Sequence, residues 1–138
     1  MARFHPANLR AAWWALRTAR RTRRLLDRAG LDSALAPPPP PRLPPAAVRG
    51  VRAALRRIGE TCLVNSIVLQ AWEAAHGRRR DLVIGTTGPD GFHAHAWLDG
   101  DPVIPASEPD LETSLRTFSE LLRRPAPQYG RAGSGQAS

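Results

Sequence analysis

CLVNSIVLQAWEAAH, residues 62–76, decides the fold. Val64, Ile67, Val68, Ala71, Trp72 and Ala75 follow the i, i+3, i+4 spacing of one helical face without a break, and Gly77 ends the run. Thr61 precedes it as an N-cap, its side-chain oxygen suited to accept from an amide two or three residues on. That places Cys62, the only cysteine in the chain, at the first helical position. Unpaired amides and the positive end of the helix dipole both favour negative charge there. The same amides suit an oxyanion formed at an attacked carbonyl.

Beyond this helix, Leu82-Val83-Ile84-Gly85 reads as a short buried strand, followed by a loop at Gly88-Pro89-Asp90-Gly91. Phe92–Leu98 reads as the next strand. Its alternation puts His93, His95 and Trp97 on one face and Phe92, Ala94, Ala96 and Leu98 on the other. The small Ala94 and Ala96 leave room for a helix to pack closely on that second face. Asp99-Gly100 signals a hairpin returning through Val103 and Ile104. Ser107-Glu108-Pro109-Asp110 resembles a helix start, with Leu111, Leu115, Phe118 and Leu122 as its apolar stripe. From Pro125 onward Gly, Ser, Ala, Gln and Pro dominate, and a disordered tail is expected over 125–138.

Towards the N-terminus, residues 46–58 form a second amphipathic helix, with Ala47, Val48, Val51, Leu55 and Ile58 as its stripe and Gly59 following. Prolines 37–41, 44 and 45 read as a stiff polyproline-like spacer. Residues 7–29 form a third helix, with Leu9, Ala12, Trp13, Leu16, Ala19, Leu25 and Leu26 near helical spacing, and a short helical turn follows at 32–35. The division expected is a basic helical segment with its proline-rich linker over 1–45, a catalytic domain over 46–124, and the tail.

The net charge of +8 is uneven: residues 1–60 carry thirteen arginines against three carboxylates, a net +10, which leaves −2 for the remainder. A basic first half suggests an acidic partner, peptide or nucleic acid. Residues 7–58 are expected to meet it, with Arg52 and Arg56 on the exposed face of the second helix. A lone cysteine excludes an internal disulfide, no apolar run is long enough to span a membrane, and no secretory signal is evident. A cytoplasmic protein is the expectation.

A cysteine at a helix start with a histidine on a separate strand is the minimum arrangement for a thiolate nucleophile and its imidazole partner. Cys62 and His95 are therefore the candidate catalytic pair. A metal held by His93, His95 and Cys62 would need further ligands, and only His5 and His76 offer themselves. A third residue should orient His95. Asp101 sits too near the hairpin tip, whereas Glu108 and Asp110 lie near the level of His95; Glu108 is chosen, with Asp110 or a bare dyad as alternatives. Carboxylates in a first helical turn are also favoured by the dipole alone.

Cys62-Leu63-Val64-Asn65-Ser66, Leu82-Val83-Ile84-Gly85 and Ala94-His95-Ala96-Trp97-Leu98-Asp99-Gly100 resemble the lasso-peptide leader peptidases. These are the transglutaminase-like cysteine protease half of the split lasso-peptide maturation B protein. The resemblance covers about residues 46–106 and extends to the arginine-rich helical N-terminus. It implies an α+β fold with a papain/transglutaminase-like core, in which a helix headed by cysteine packs on an antiparallel sheet carrying histidine. It implies removal of the leader from a ribosomally made precursor, delivered by a separate leader-recognition protein, with a lasso cyclase using the freed amine. Cys62 and His95 fall on the family's catalytic cysteine and histidine. The family's aspartate, about a dozen residues after the histidine, has Ser107–Glu108 in its place here. No cofactor, metal, nucleic acid or membrane is implied. Two other functions remain open: acyl transfer to an amine through the same thioester, and a non-enzymatic basic helical protein that binds nucleic acid.

Overall fold

A computed structural model describes residues 5–87, 94–100 and 118–129. Four α-helices, α1 (Pro6–Ala29), α2 (Leu31–Ala34), α3 (Val48–Ile58) and α4 (Cys62–Ala75), precede three strands, β1 (Leu82–Thr87), β2 (Ala94–Leu98) and β3 (Phe118–Arg124). The sheet is antiparallel with order β2-β1-β3. This is the α+β architecture expected, a cysteine-bearing helix on a small antiparallel sheet with arginine-rich helices before it. None of the described helices is long and apolar enough to cross a membrane.

The axis of the molecule is α4, which buries residues on more than one side: Val64, Ser66, Ile67, Val68, Gln70, Ala71, Trp72 and Glu73. A helix apolar over so much of its surface must be covered from several directions. Val64, Val68, Ala71 and Trp72 meet α1 and α3 in one cluster, while Ile67 joins Leu82, Ala96 and Leu98 of the sheet in another. Trp72 packs on Trp14 with ring centroids 5.8 Å apart and planes tilted by 49°, an arrangement worth about 0.5–1.5 kcal/mol beyond the area buried.

Polar side chains fix the rest of α4. The Gln70 Nε2 donates to the carbonyls of Arg80 (2.9 Å) and Arg124 (3.2 Å), tying the entry to β1 and the end of β3 to one buried amide. Arg80 Nε pairs with Glu73 Oε2 at 2.7 Å. Gly77, at φ +82°, turns the chain out of the helix in a conformation that side-chain-bearing residues avoid.

The buried face of α1 differs from the stripe expected. Ala7, Ala11, Ala15 and Ala19, with Trp14, Thr18 and Thr22, point inward, whereas Leu9 and Trp13 are 53% and 61% exposed. The close crossing with α3 explains the choice, since only small residues let two backbones approach. At that crossing Gly50 lies against the backbone of Asn8.

The proline-rich stretch is packed rather than merely spacing. Pro37 is fully buried. Trp14 Nε1 donates to the Pro38 carbonyl at 3.3 Å, His76 Nε2 lies 2.9 Å from the Leu43 carbonyl, and the Tyr129 hydroxyl donates to the Pro37 carbonyl. Extended proline-rich backbone satisfies no carbonyl internally, so these are left for side chains to reach. Residues 125–129, where composition starts the tail, contribute to this packing: Ala126 is buried, and burial pushes the Tyr129 phenol up to about 12. Residues 130–138 lie outside the described residues.

The helix expected through Phe118 and Leu122 is a strand where it is described. β3 pairs with β1 through Leu82↔Arg124, Ile84↔Leu122 and Thr87↔Phe118, with a bulge between Ile84 and Gly85. Residues four apart share a face in either period, so that pair could not distinguish them. Pairing with the second edge of β1 decided it. The hairpin return at Val103–Ile104 and the helix start at 107–117 lie outside the described residues.

Replacing Gly50 with alanine tests the α1–α3 crossing. Helix propensity alone would favour alanine by about 0.5–1 kcal/mol. Its Cβ, however, would stand 2.8 and 2.9 Å from the Asn8 carbonyl carbon and Cα, which are backbone atoms. Overpacking of that kind costs about 1–3 kcal/mol. Gly50→Ala is therefore expected to lower the urea midpoint; a raised midpoint would show that the helices do not cross there.

Candidate active site

Thr61 caps α4 as its sequence implies: Thr61 Oγ1 accepts from the Val64 amide at 3.3 Å, and the Thr61 carbonyl accepts from the Asn65 amide at 3.0 Å. Cys62 follows as the first helical residue, half-buried and in no disulfide. The helix ladder itself has no acceptor for the amides of Cys62 and Leu63. The entry to α4 is anchored by Glu60, whose carboxylate takes both Nε (2.8 Å to Oε2) and Nη2 (2.6 Å) of Arg23 on α1.

His95 stands on β2 opposite Gly85 of β1. The strand's alternation is as expected over residues 95–98. His95 stacks along Trp97 with centroids 5.9 Å apart and planes within 19° on one face, while Ala96 and Leu98 are buried on the other. Half-burial withholds water from the His95 imidazole and lowers its pKa from the ordinary 6.5, so the neutral ring dominates at neutral pH. A neutral imidazole is the form that accepts a proton.

The two elements meet at β2, an edge strand among the described residues. Ser66, one helical turn after Cys62 and on the same side of α4, donates from Oγ to the carbonyl of Ala96 at 3.3 Å. Ala96 directly follows His95, and Cys62 itself packs against the cluster that contains Ala96. α4 lies more against β2 than against β1. The thiol-bearing end of the helix therefore borders the strand that carries the imidazole.

Glu108 and Asp110, the carboxylates considered for orienting His95, lie outside the described residues, as does His93. His5 and His76 are committed elsewhere. His5 Nδ1 accepts from the Ala7 amide at the start of α1, and the two ring nitrogens of His76 face the carbonyls of Trp72 (2.7 Å) and Leu43 (2.9 Å). Sequence reasoning passed over Ser66 and Gln70, which hold the helix to the sheet. The available signal was a polar residue at an otherwise buried position of a strongly apolar helix. Asn65, three residues after Cys62, donates to the Glu60 carbonyl at 3.5 Å, and its buried Oδ1 has no hydrogen-bond partner.

Against this geometry, one family model, described as the transglutaminase-like superfamily, matches residues 7–123. That span runs from α1 into β3, so the arginine-rich first helix falls within the match together with Cys62 and His95. No curated protein and no solved structure matches the chain.

The lowered pKa of His95 has a definite sign for stability. Above 6.5 both the folded and unfolded imidazole are neutral, and stability is unaffected. As pH falls from 6.5 towards the folded-state pKa, the unfolded chain binds the proton first, and stability is lost across that window. An NMR titration should place the His95 midpoint below 6.5. His95→Gln should make the urea midpoint less sensitive to acid in the same window, and an equal sensitivity in both proteins would exclude the assignment.

Proposed function

The chain belongs to the transglutaminase-like superfamily, and from that premise we propose that it is a cysteine peptidase with Cys62 as nucleophile and His95 as proton carrier. Members of the superfamily are typically cysteine proteases or transglutaminases. The observation that carries the proposal is the Thr61-capped start of α4, with Cys62 at its first position and Ser66 fastening the helix to the strand of His95. In the attack, neutral His95 takes the thiol proton while Sγ bonds to the scissile carbonyl carbon. Amides at the helix start stabilise the oxyanion. As the intermediate collapses, the C–N bond breaks and His95 passes its proton to the departing amine, leaving a thioester. Water, deprotonated by His95, then releases the acid and restores the thiol. Glu108 is retained as the carboxylate that orients His95.

The substrate proposed is a ribosomally made lasso-peptide precursor, from which the enzyme removes the leader in the cytoplasm. A separate leader-recognition protein delivers it, and a lasso cyclase uses the freed amine. Support for this substrate is the resemblance carried by residues 62–66, 82–85 and 94–100. The same thioester can be resolved by an amine, and superfamily membership favours that outcome as well; product mass distinguishes them, since transfer adds the amine.

Incubation with precursor and recognition protein tests the peptidase. Cys62→Ala is expected to abolish cleavage, and His95→Ala to slow it by about 10²–10⁴-fold, the usual worth of a positioned acid–base group. Cleavage by Cys62→Ala at the wild-type rate would refute the proposal. Because the chain has one cysteine, alkylation by iodoacetamide reads the pair without any substrate. The pH profile should change in His95→Ala, and coincident profiles would mean that the imidazole does not act on the thiol.

Arg52 and Arg56 are exposed on α3, and the partner or leader is proposed to bind there. Reversing both charges to glutamate should slow cleavage in the presence of the recognition protein while leaving alkylation unchanged. Unaltered cleavage and complex formation would count against that contact.

A further inference from the structure

We propose that a groove along α1 is a docking site for an acidic peptide segment of a partner protein, which inserts one bulky apolar side chain against Trp13. The groove, about 900 Å³ in volume, runs between α1 and the proline-rich stretch. Its apolar wall is made by Leu9, Trp13, Pro38 and Pro41. Leu9 and Trp13 are the large hydrophobic side chains that the described fold leaves exposed, because the alanines of α1 took the core-facing positions. A tryptophan this open contributes nothing to the core, yet aromatic anchors of this kind dominate binding energy at interfaces.

The rim states the chemistry of the occupant. Arg10, Arg17, Arg20, Arg21 and Arg24 line the same groove, at spacings that put them on one side of α1. Among the described residues no carboxylate lines it. Among the described residues none of the five is in an ion pair, whereas Arg23 is held by Glu60 on another side of the helix. A second copy of this chain, presenting the same arginines at a net charge of +8, would repel. A single-stranded nucleic acid would bring phosphates to the rim and a base to Trp13, and it is the competing occupant that the binding experiment separates. A bilayer is flat, whereas this surface is concave. Carboxylates around an apolar anchor match both the wall and the rim.

The groove is independent of Cys62 chemistry, so binding can be read without catalysis. The probe is a fluorescein-labelled synthetic peptide of glutamates and leucines with one central phenylalanine, followed by anisotropy on the full chain. Binding should weaken with salt and fall by about tenfold or more in Trp13→Ala, the loss typical of an interfacial anchor. Arg17→Glu with Arg20→Glu should weaken it similarly, and Arg78→Glu, at an exposed turn elsewhere, should not. Circular dichroism of each variant shows whether it is folded. Three results would overturn the proposal: a lysine-for-glutamate peptide that binds as well, affinity unmoved by Trp13→Ala, or tighter binding of single-stranded DNA or phosphatidylserine vesicles through the same residues.

Discussion

A helix buried from several sides must be held in one position, and α4 is held by polar side chains whose partners lie on other elements. Ser66 binds the Ala96 carbonyl, Gln70 binds the carbonyls of Arg80 and Arg124, and Glu73 pairs with Arg80. Such groups are costly to bury unless satisfied. Once satisfied, they leave the helix one position relative to the sheet. Apolar packing of Ile67 on Leu82, Ala96 and Leu98 gives most of the driving force, but dispersion and burial are non-directional. The hydrogen bonds set the register, and with it the place of Cys62.

That rigidity matters for the proposed chemistry because amide hydrolysis through a thioester depends on orientation more than on strong groups. Helix-start amides already point outward from α4, and no reorganisation is needed to present them to a developing oxyanion. Half-burial keeps His95 neutral near neutral pH, the state that the proposed base requires. The two elements that must stay in register, α4 and β2, are joined by a hydrogen bond one helical turn from the thiol.

The arginines divide by what the fold does with them. Arg23 reaches Glu60, Arg80 reaches Glu73, Arg123 lies between Asp81 and Asp99, and Arg124 meets Asp32. The exposed pairs of Arg123 and Arg124 add little stability, but pairs of this set join elements distant in sequence: α1 to the entry of α4, and α2 to the end of β3. Among the described residues the arginines along the open side of α1 form no such ion pair. Composition alone treated Arg23 and the other arginines of α1 as one basic half.

What the sequence determined by itself was local. The N-cap at Thr61, the helical period of residues 62–75, the left-handed turn at Gly59 and the alternation of His95 and Trp97 against Ala96 and Leu98 each depend on neighbours within a few residues. The position of Cys62 at the helix start was legible for the same reason, since the Thr61 cap lies beside it in sequence. Tertiary structure decided what local pattern left degenerate. α1 had two plausible faces, and only contact with α3 selected alanines over Leu9 and Trp13. Phe118 and Leu122 fit a helix or a strand, and only pairing with the second edge of β1 made them a strand. The proline-rich stretch looked like a spacer until Trp14 and Tyr129 supplied donors for its carbonyls. In each instance the deciding partner lies far along the chain, where no periodicity records it.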